Sequence, residues 1–269
     1  MNEILDKNNL KVVCIIQARM GSSRLPGKVL EAICASPMLS WVVDRVKNTT
    51  HISTVMVATT TDASDDAIAE WCAANQVDCF RGAVQDVLDR FYQAASEAQA
   101  DVIVRLTADC PLIDPQVIDD VITLFLIEKA DFAANRLPPP FHRTFPIGLD
   151  VEVVTFTALE RAWREAGQPF EREHVLPYLY AQEGRFKVSI LDAHQDLGDL
   201  RWTVDTPQDL QFIRALMADL NCNRDVSWLT VLDHIVQNPN LSRINADVQH
   251  KSYTDIDHRA GNHIESNHG

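Results

Sequence analysis

The chain has 269 residues, of which 46% are hydrophobic and 23% are charged, which suits one large folded domain and excludes a chain that is disordered throughout. Its 24 basic and 38 acidic residues give a net charge of −14, so no global positive field attracts nucleic acid, although one local basic pocket for a small anion remains compatible. The polar N-terminus has no signal-peptide pattern, and no apolar stretch reaches the roughly 18 residues of a membrane helix, so we expect a cytoplasmic protein.

The first half of the chain alternates short apolar strands with helices of amphipathic spacing. The segment Val12–Gln17 is a short run rich in β-branched residues, typical of a strand buried on both faces. The same alternation predicts strands at 54–59, 77–80 and 102–106 and helices at 37–47, 67–74, 86–98 and 116–127. Asp62 or Ser64 is expected to cap the second helix, and Pro115 opens the fourth. This order indicates a three-layer α/β/α fold around a mostly parallel central sheet.

The alternation breaks after about residue 135, where four prolines fall within a long loop or lid. Beyond it we predict strands at 148–154, 187–191 and 200–204 and helices at 157–166, 170–182, 207–220 and near 228–237. Residues 1–10 form a polar extension, 11–245 a single domain, and 246–269 a polar tail. The tail holds four histidines, which leaves a metal-binding role open, but its composition favours disorder.

Six cysteines are present, and none belongs to a CxxC pair. Most lie inside apolar runs. This usage predicts reduced, buried thiols and disfavours a zinc site or a disulfide framework.

The loop after the first strand carries the strongest functional signal. Arg19, Arg24 and Lys28 place three positive charges within ten residues, and Gly21 allows backbone N–H groups to approach an anion. Ligands of open α/β sheets bind where the strands end, so the loop is a candidate phosphate site. It is not a Walker A loop, because five residues separate Gly21 from Gly27 and valine follows the lysine. The dinucleotide-binding fingerprint GxGxxG is also absent from it. The alternative is an ordinary solvated turn.

Two aspartates follow predicted strands and are candidate magnesium ligands. Asp109 comes after the strand at 102–106, and Asp205 comes after the one at 200–204. Carboxylate oxygen suits Mg²⁺, which commonly bridges to substrate phosphates. The alternative for Asp109 is a carboxylate at a helix N-terminus, and for Asp205 it is a helix N-cap.

The segment after the strand at 77–80 is a weaker candidate. Gly82 could permit close approach of a base, and Arg81 could meet an anion. Capping by Asp86, with an i,i+4 ion pair from Asp86 to Arg90, explains the same residues equally well.

Three further residues could contact a substrate. Asp150 and Glu152 alternate onto one face of a predicted strand, which suits a substrate or metal contact, although a solvated sheet face is the default. His174 is the one histidine beside charged neighbours that merits a functional role, with a structural histidine as its alternative. Hydrolase motifs such as GxSxG and HExxH are absent from the sequence.

Together, six segments of the chain resemble the SpsF-type cytidylyltransferases, which are related to the enzymes that make CMP-sialic acid and CMP-Kdo. The similarity spans about residues 11–220. The segments that carry it are IIQARMGSSRLPGKVL, RLTADCPLIDP, RGAVQDVLDRFYQA, GLDVEV, REHVLPY and RWTVDTPQDL.

The resemblance implies a Rossmann-like nucleotidyltransferase fold, CTP as donor, Mg²⁺ as cofactor and a homodimer formed through an inserted segment near 137–175. It assigns Arg19, Arg24 and Lys28 to the triphosphate, and Asp109 and Asp205 to the metal. The residues expected to line the nucleotide are Ala18, Gly21, Ser22, Arg81, Gly82, Asp86 and Thr107. Those expected to contact the second substrate are Asp150, Glu152 and His174.

The implied reaction transfers CMP from CTP to a small acidic acceptor and releases pyrophosphate, in surface polysaccharide or glycan biosynthesis. The chain reads Thr-Ala-Asp-Cys-Pro where the CMP-Kdo enzymes read Gln-Gly-Asp-Glu-Pro, so the acceptor could be a nonulosonic or Kdo-like acid or a phosphate or phosphonate compound. The alternatives are a metal-dependent nucleotide-sugar glycosyltransferase and a non-catalytic nucleotide-binding protein. No nucleic-acid or membrane partner is expected.

Overall fold

The computed structural model describes residues 10–137 and 143–249, and its centre is a seven-stranded sheet. Nearly all of the predicted N-terminal extension and most of the predicted tail lie outside the described residues. The strands are β1 Val12–Gln17, β2 Ala32–Ile33, β3 Ser36–Pro37, β4 Thr54–Thr60, β5 Asp78–Gly82, β6 Val102–Thr107, β7 Phe132–Ala134, β8 Glu152–Thr155 and β9 Val188–Ile190. A separate hairpin is formed by β2 and β3.

The sheet has the strand order β5-β4-β1-β6-β8-β7-β9. Strands β5, β4, β1 and β6 are mutually parallel, and β8 alone runs against its neighbours β6 and β7. Gln17 at the end of β1 is in register with Thr107 of β6 and Ala58 of β4. The loops that follow these strands therefore meet at one edge of the sheet, and the predicted fold class is confirmed.

Helices cover both faces of the sheet. They are α1 Met38–Lys47, α2 Asp66–Ala74, α3 Val87–Glu97, α4 Pro115–Glu128, α5 Phe156–Glu165, α6 Pro169–His174, α7 Pro177–Tyr180, α8 Pro207–Asp219 and α9 Trp228–Gln237.

Alternate residues of β1 enter opposite cores. Cys14 and Ile16 belong to the core that includes α1, α4 and α8, whereas Val13 and Ile15 belong to the core that includes α3 and α5. Burial of each of the valine and isoleucine side chains among them stabilises the fold by about 1.5–3 kcal/mol. The apolar run predicted as a strand buried on both faces is thus the centre of both cores.

Two predicted elements differ from the structure. The helix expected over 170–182 is divided into α6 and α7, because Val175 has φ 73° and Pro177 cannot continue a helix that began before it. The strand expected over 200–204 is replaced by a single bridge from Arg201 to Ile147. The short strands β2, β3 and β7 were missed, since runs of two or three residues carry no measurable alternation.

The segment near 137–175, predicted as a lid or dimerisation insert, contributes β8, α5 and α6 to the fold. Of this segment, residues 138–142 lie outside the described part of the chain. Its role in dimerisation stays a prediction. Among the described residues, no helix combines the length and apolar character needed to cross a bilayer.

The expectation of six reduced cysteines is wrong for one pair. Cys34, in the β2–β3 turn, is bonded to Cys222, which follows α8, across 188 residues of sequence. Spacing along the sequence could not reveal this pair, because only the packing of the hairpin against α8 brings the two Cα atoms within 5.9 Å. The remaining four cysteines are free, and three of them are buried.

A bond that closes so long a loop should stabilise the protein measurably. We expect reduction, or the double substitution Cys34→Ser with Cys222→Ser, to lower the free energy of unfolding by about 2–4 kcal/mol. Thiol labelling of the unreduced, denatured protein should modify four cysteines. Labelling of all six would show that the pair is reduced in solution.

Candidate functional site

The loop after β1 is fixed to the sheet edge by its backbone. The Met20 N–H donates to Asp65 Oδ1 at 2.7 Å, and the Gly27 N–H donates to the Met20 carbonyl at 2.9 Å. Gly27 has φ 74°, a left-handed conformation that glycine adopts without strain, and the chain then turns into a short 3₁₀ helix at Lys28–Leu30. This turn directs the buried Lys28 side chain inward, towards β6.

Lys28 joins the two predicted metal-binding aspartates. Its Nζ lies 2.7 Å from Asp109 Oδ2 and 2.8 Å from Asp205 Oδ1, and it donates a third hydrogen bond to the Val204 carbonyl at 2.8 Å. Arg24 contacts the other oxygen of Asp205 at 2.9 Å. Residues from three distant parts of the sequence therefore meet at the sheet edge, as the loop and strand-end motifs predict.

A further arginine, Arg201, completes this cluster. It contacts Asp205 Oδ2 at 2.9 Å and Asp209 Oδ1 at 2.9 Å. Sequence reasoning missed Arg201, because it lies before α8 in a segment predicted as a strand, where a spacing of four residues does not indicate an ion pair. The carboxylate cluster thus pairs three cations with three anions, namely Lys28, Arg24 and Arg201 with Asp109, Asp205 and Asp209.

The charges of the carboxylate cluster stabilise one another although they are poorly solvated. Burial by itself favours the neutral amine of Lys28, but the attraction and hydrogen bonds of Asp109 and Asp205 outweigh burial and raise its pKa. Burial likewise favours the protonated form of Asp205, yet Lys28, Arg24 and Arg201 together hold its pKa well below the usual range. Both groups are therefore charged at neutral pH.

Neither aspartate serves as a helix cap, which was the alternative explanation for each. Asp114 caps α4 by accepting from the Gln116 N–H at 2.9 Å. Thr206 caps α8, in a reciprocal arrangement with Asp209. Because these neighbours satisfy the helix termini, the carboxylates of Asp109 and Asp205 are available to the cluster.

Residues around Asp109 fix its orientation. The Thr107 hydroxyl donates to Asp109 Oδ1 at 2.6 Å. The main-chain oxygen of Asp109 accepts from the Val204 N–H at 2.8 Å and from the Thr203 hydroxyl at 3.2 Å. These bonds join the end of β6 to the segment before α8 and hold both aspartates at one place. Thr107, predicted to line the nucleotide, contacts Asp109 in this structure.

The carboxylate cluster has a donor set that suits a hard divalent cation. Asp109 and Asp205 both contact one cationic atom, the Lys28 ammonium nitrogen. Among the described residues, no group of three or more histidine, cysteine or acidic side chains forms a metal site. Mg²⁺ is nevertheless commonly bound by one or two carboxylates, with substrate phosphate oxygens among its other ligands.

Four other residues of the loop were predicted to contact a nucleotide. Ala18 is buried and donates its N–H to the Ala58 carbonyl at 3.2 Å. Gly21 faces open space, since a Cβ placed there would meet no atom within 4 Å, and the Ser22 N–H donates to the Met20 carbonyl. Arg19 lies close enough to Arg90 for its charge to lower the Arg90 pKa. Their nucleotide contacts remain predictions.

The segment after β5 is occupied by internal contacts. Arg81 donates to the Thr60 and Asp62 carbonyls, both at 2.9 Å, and pairs with Asp66 at 2.7 Å. Asp86 caps α3, as the alternative explanation proposed, but its ion-pair partner is Arg172 of α6.

Gly82 is required by packing, because a Cβ there would lie 2.7 Å from Phe80 Cε1 and 3.1 Å from Arg90 Cγ. This requirement accounts for the glycine without a bound base. Close approach of a base stays a prediction.

Asp150 and Glu152 lie in a second ionic group beside β6, which we call the arginine cluster. Arg143 contacts Asp150 at 2.5 Å, and Arg136 lies 3.8 Å from Asp150 and 3.6 Å from Glu152. Arg105 of β6 pairs with Glu152. Sequence reasoning missed all three arginines, because only the folded chain brings them to these carboxylates.

The two clusters adjoin each other. Cys110 Sγ lies 3.6 Å from Asp109 Oδ1, and the charges of Asp109 and Asp150 contribute, after burial, to raising the Cys110 pKa. His174 is the last residue of α6, two residues beyond the Arg172 that pairs with Asp86.

Comparisons with known proteins agree with one another. A family model described as "Cytidylyltransferase" matches residues 13–251. An uncharacterized protein of Methanocaldococcus jannaschii is 36% identical over 92% of this chain and 100% of its own length. The spore coat polysaccharide biosynthesis protein SpsF of Bacillus subtilis is 30% identical over 86% of this chain and 96% of its own. A 3-deoxy-manno-octulosonate cytidylyltransferase of Anaeromyxobacter sp. (strain Fw109-5) is 30% identical over 77% and 97%.

Two solved structures extend this comparison. A cytidylyltransferase from Leptospira borgpetersenii superposes with a TM-score of 0.83 at 34% identity, covering 90% of this chain and 100% of that one. A CMP:2-keto-3-deoxy-manno-octonic acid synthetase complexed with CTP has a TM-score of 0.60 at 22% identity, covering 78% and 99%, and shows a shared fold.

Asp114 caps a helix and Asp109 does not, so substitution of these two aspartates should affect stability unequally. Asp114→Ala should lower the free energy of unfolding by about 1–3 kcal/mol, because α4 loses its cap and the Trp228 N–H loses its acceptor. Asp109→Asn should cost less, since Lys28 keeps Asp205 and the Val204 carbonyl. Urea unfolding of both variants measures the difference. Equal losses would make Asp109 a structural residue.

Proposed function

The chain belongs to the cytidylyltransferase family and is a CTP-dependent nucleotidyltransferase, and we propose that it transfers CMP from CTP to a small acidic sugar with release of pyrophosphate. The observation that carries this proposal is the contact of Lys28 with both Asp109 and Asp205. It brings the cationic loop and two carboxylates together at the edge of the sheet where α/β proteins bind their ligands.

Mg²⁺ is the proposed cofactor, held by Asp109 and Asp205 together with phosphate oxygens. The charges of the carboxylate cluster are already balanced, so a triphosphate brings negative charge that these cations do not offset. A divalent ion would supply the missing positive charge and polarise the reacting phosphate.

In the proposed reaction, an oxygen of the acceptor attacks the α-phosphorus of CTP in line with the departing pyrophosphate. A bond forms between that oxygen and the α-phosphorus, the bond between the α-phosphorus and the oxygen that bridges it to the β-phosphate breaks, and the proton of the acceptor hydroxyl passes to solvent water. Arg24 and Lys28 can pass from the carboxylates to phosphate oxygens and stabilise the charge that develops on the leaving group. Thr107 holds Asp109 in position throughout.

The arginine cluster is the proposed site of the acceptor. Arg105, Arg136 and Arg143 face two carboxylates, Asp150 and Glu152, so one positive charge is left for an anionic substrate group. Arg143 and Asp150 keep 16% and 21% of their side chains exposed. A carboxylate of the acceptor could bind an arginine while Asp150 accepts a sugar hydroxyl.

The relatives support this class of acceptor. The Anaeromyxobacter relative is named for 3-deoxy-manno-octulosonate, and a partial relative from Shewanella piezotolerans for its 8-amino-3,8-dideoxy analogue. We propose a nonulosonic or Kdo-like sugar acid as the acceptor, for polysaccharide biosynthesis by a cytoplasmic homodimer. His174 is proposed to contact this substrate from α6.

The direct test measures pyrophosphate release with each of the four nucleoside triphosphates, Mg²⁺ and a panel of sugar acids, phosphosugars and phosphonates. We expect turnover with CTP and a sugar acid only. Release without CTP preference would contradict the nucleotide assignment, and intact CTP beside a consumed nucleotide sugar would indicate a glycosyltransferase.

Removal of one charge from the carboxylate cluster should slow this reaction without unfolding the protein. Arg24→Ala and Asp109→Ala should each lower kcat/KM by about 10²–10³, equivalent to about 2–4 kcal/mol of transition-state stabilisation. The matched control is Arg214→Ala, which removes an exposed arginine paired with Glu31 and should leave kcat/KM unchanged. Near-normal turnover of both site variants would remove these residues from the mechanism.

A further inference from the structure

The buried side chain of Arg90 belongs to neither the carboxylate cluster nor the arginine cluster. Arg90 lies in the first turns of α3 and is 0% exposed. Its Nη1 donates to the Ala83 carbonyl at 2.6 Å. Its Nε and Nη2 are buried without a hydrogen-bond acceptor among the residues that the structure describes. A guanidinium that is buried in this way loses its hydrogen bonds to water, and at these two nitrogens no hydrogen bond within the described protein replaces them.

The nearest carboxylates are already engaged by other groups. Asp65 accepts from the Met20 N–H and from Thr60. Asp86 accepts from the Asp89 N–H and from two nitrogens of Arg172. Both aspartates attract Arg90 over a distance, but neither provides an acceptor for its remaining N–H groups.

Another buried arginine shows what a structural role requires. Arg45 is 2% exposed, and its Nε, Nη1 and Nη2 donate to the carbonyls of Ile113, Arg224 and Val226. Its guanidinium is thereby hydrogen-bonded on every nitrogen. Arg90 has the same burial and one such bond, so internal packing does not account for its charge.

The surroundings of Arg90 point to an anion. Burial is the largest cause that lowers the pKa of Arg90, to about 10, and the charge of Arg19 is the next. Asp65, which lies near Arg90, also holds the backbone of the loop that carries Arg19. Two guanidinium groups thus lie at the same edge of the sheet, beside the strand ends where a nucleotide would bind. A neutral base would not offset their mutual repulsion, whereas a phosphate would.

We propose that Arg90 is a phosphate-binding residue, which together with Arg19 contacts a phosphate group of the bound nucleotide through its Nε–H and Nη2–H. The assignment rests on the proposed function. The segment 83–86, whose Ala83 carbonyl accepts from Arg90, lies outside the helices and strands and leaves Val84 45% exposed. A shift of this segment on binding would open Arg90 to the ligand.

The test compares Arg90→Met with Arg45→Met. Arg90→Met should weaken CTP binding at least tenfold in calorimetry without acceptor, and should leave the unfolding midpoint of the free protein unchanged or higher, because a poorly solvated charge is removed. Arg45→Met should lower the unfolding midpoint, because three carbonyls lose their donors, and should bind CTP within twofold of the wild type.

Cytidine and pyrophosphate serve as separate probes of which part of the nucleotide Arg90 contacts. Cytidine should bind the wild type and Arg90→Met equally. Weaker cytidine binding would overturn the phosphate assignment in favour of the base. Equal CTP binding by the wild type and the variant, or an unfolding midpoint as low as that of Arg45→Met, would overturn the proposal while leaving the proposed function intact.

A wild type that binds neither CTP nor pyrophosphate would overturn the proposed function itself and Arg90's role with it. Arg90→Lys is a second test variant. The lysine keeps the charge but loses the planar fork, so CTP binding should still weaken by several-fold. Unchanged CTP binding by Arg90→Lys, with pyrophosphate binding also unchanged, would overturn the proposal.

Discussion

The contact of the Lys28 ammonium group with Asp109 and Asp205 is the interaction on which the arrangement of the site depends. It joins parts of the chain that are 81 and 177 residues apart. The parallel pairing of β1 with β6 brings the first two together, and the bond from the Val204 N–H to the Asp109 carbonyl adds the third. Because Lys28 is buried, its charge needs these partners, and the fold and the site therefore stabilise each other.

The surrounding residues keep the two aspartates available for chemistry. Helix α4 begins six residues after Asp109 and α8 two residues after Asp205, and an uncapped helix could compete for their oxygens. Asp114 and Thr206 satisfy those helices instead. Asp209 has two roles, since it bonds backbone N–H groups at the start of α8 and pairs with Arg201. Residues a few positions away thus cap the helices, and the carboxylates of Asp109 and Asp205 contact the cations of the carboxylate cluster instead.

Features of the fold and the site that depend on local sequence pattern could be predicted from the sequence. The apolar runs predicted β1, β4, β5 and β6, and the strand-end motifs predicted that Arg24, Lys28, Asp109 and Asp205 would meet. What depends on long-range packing was not predictable. The ion pair assigned to Asp86 and Arg90 by their i,i+4 spacing gave way to one between Asp86 and Arg172, 86 residues away. The disulfide and the three arginines that contact Asp150 or Glu152 were missed for the same reason.

The net charge of −14 and a site for a polyanion are compatible because charge acts over short distances in salt solution. Surface charges farther apart than about 8 Å are largely screened at physiological ionic strength, whereas buried contacts are not. Arg24, Lys28 and Arg201 contact carboxylates within 3 Å, and Arg19 lies near a further cation, Arg90. A triphosphate at this edge would therefore respond to the local cations, while the acidic remainder of the protein disfavours longer polyanions such as nucleic acids.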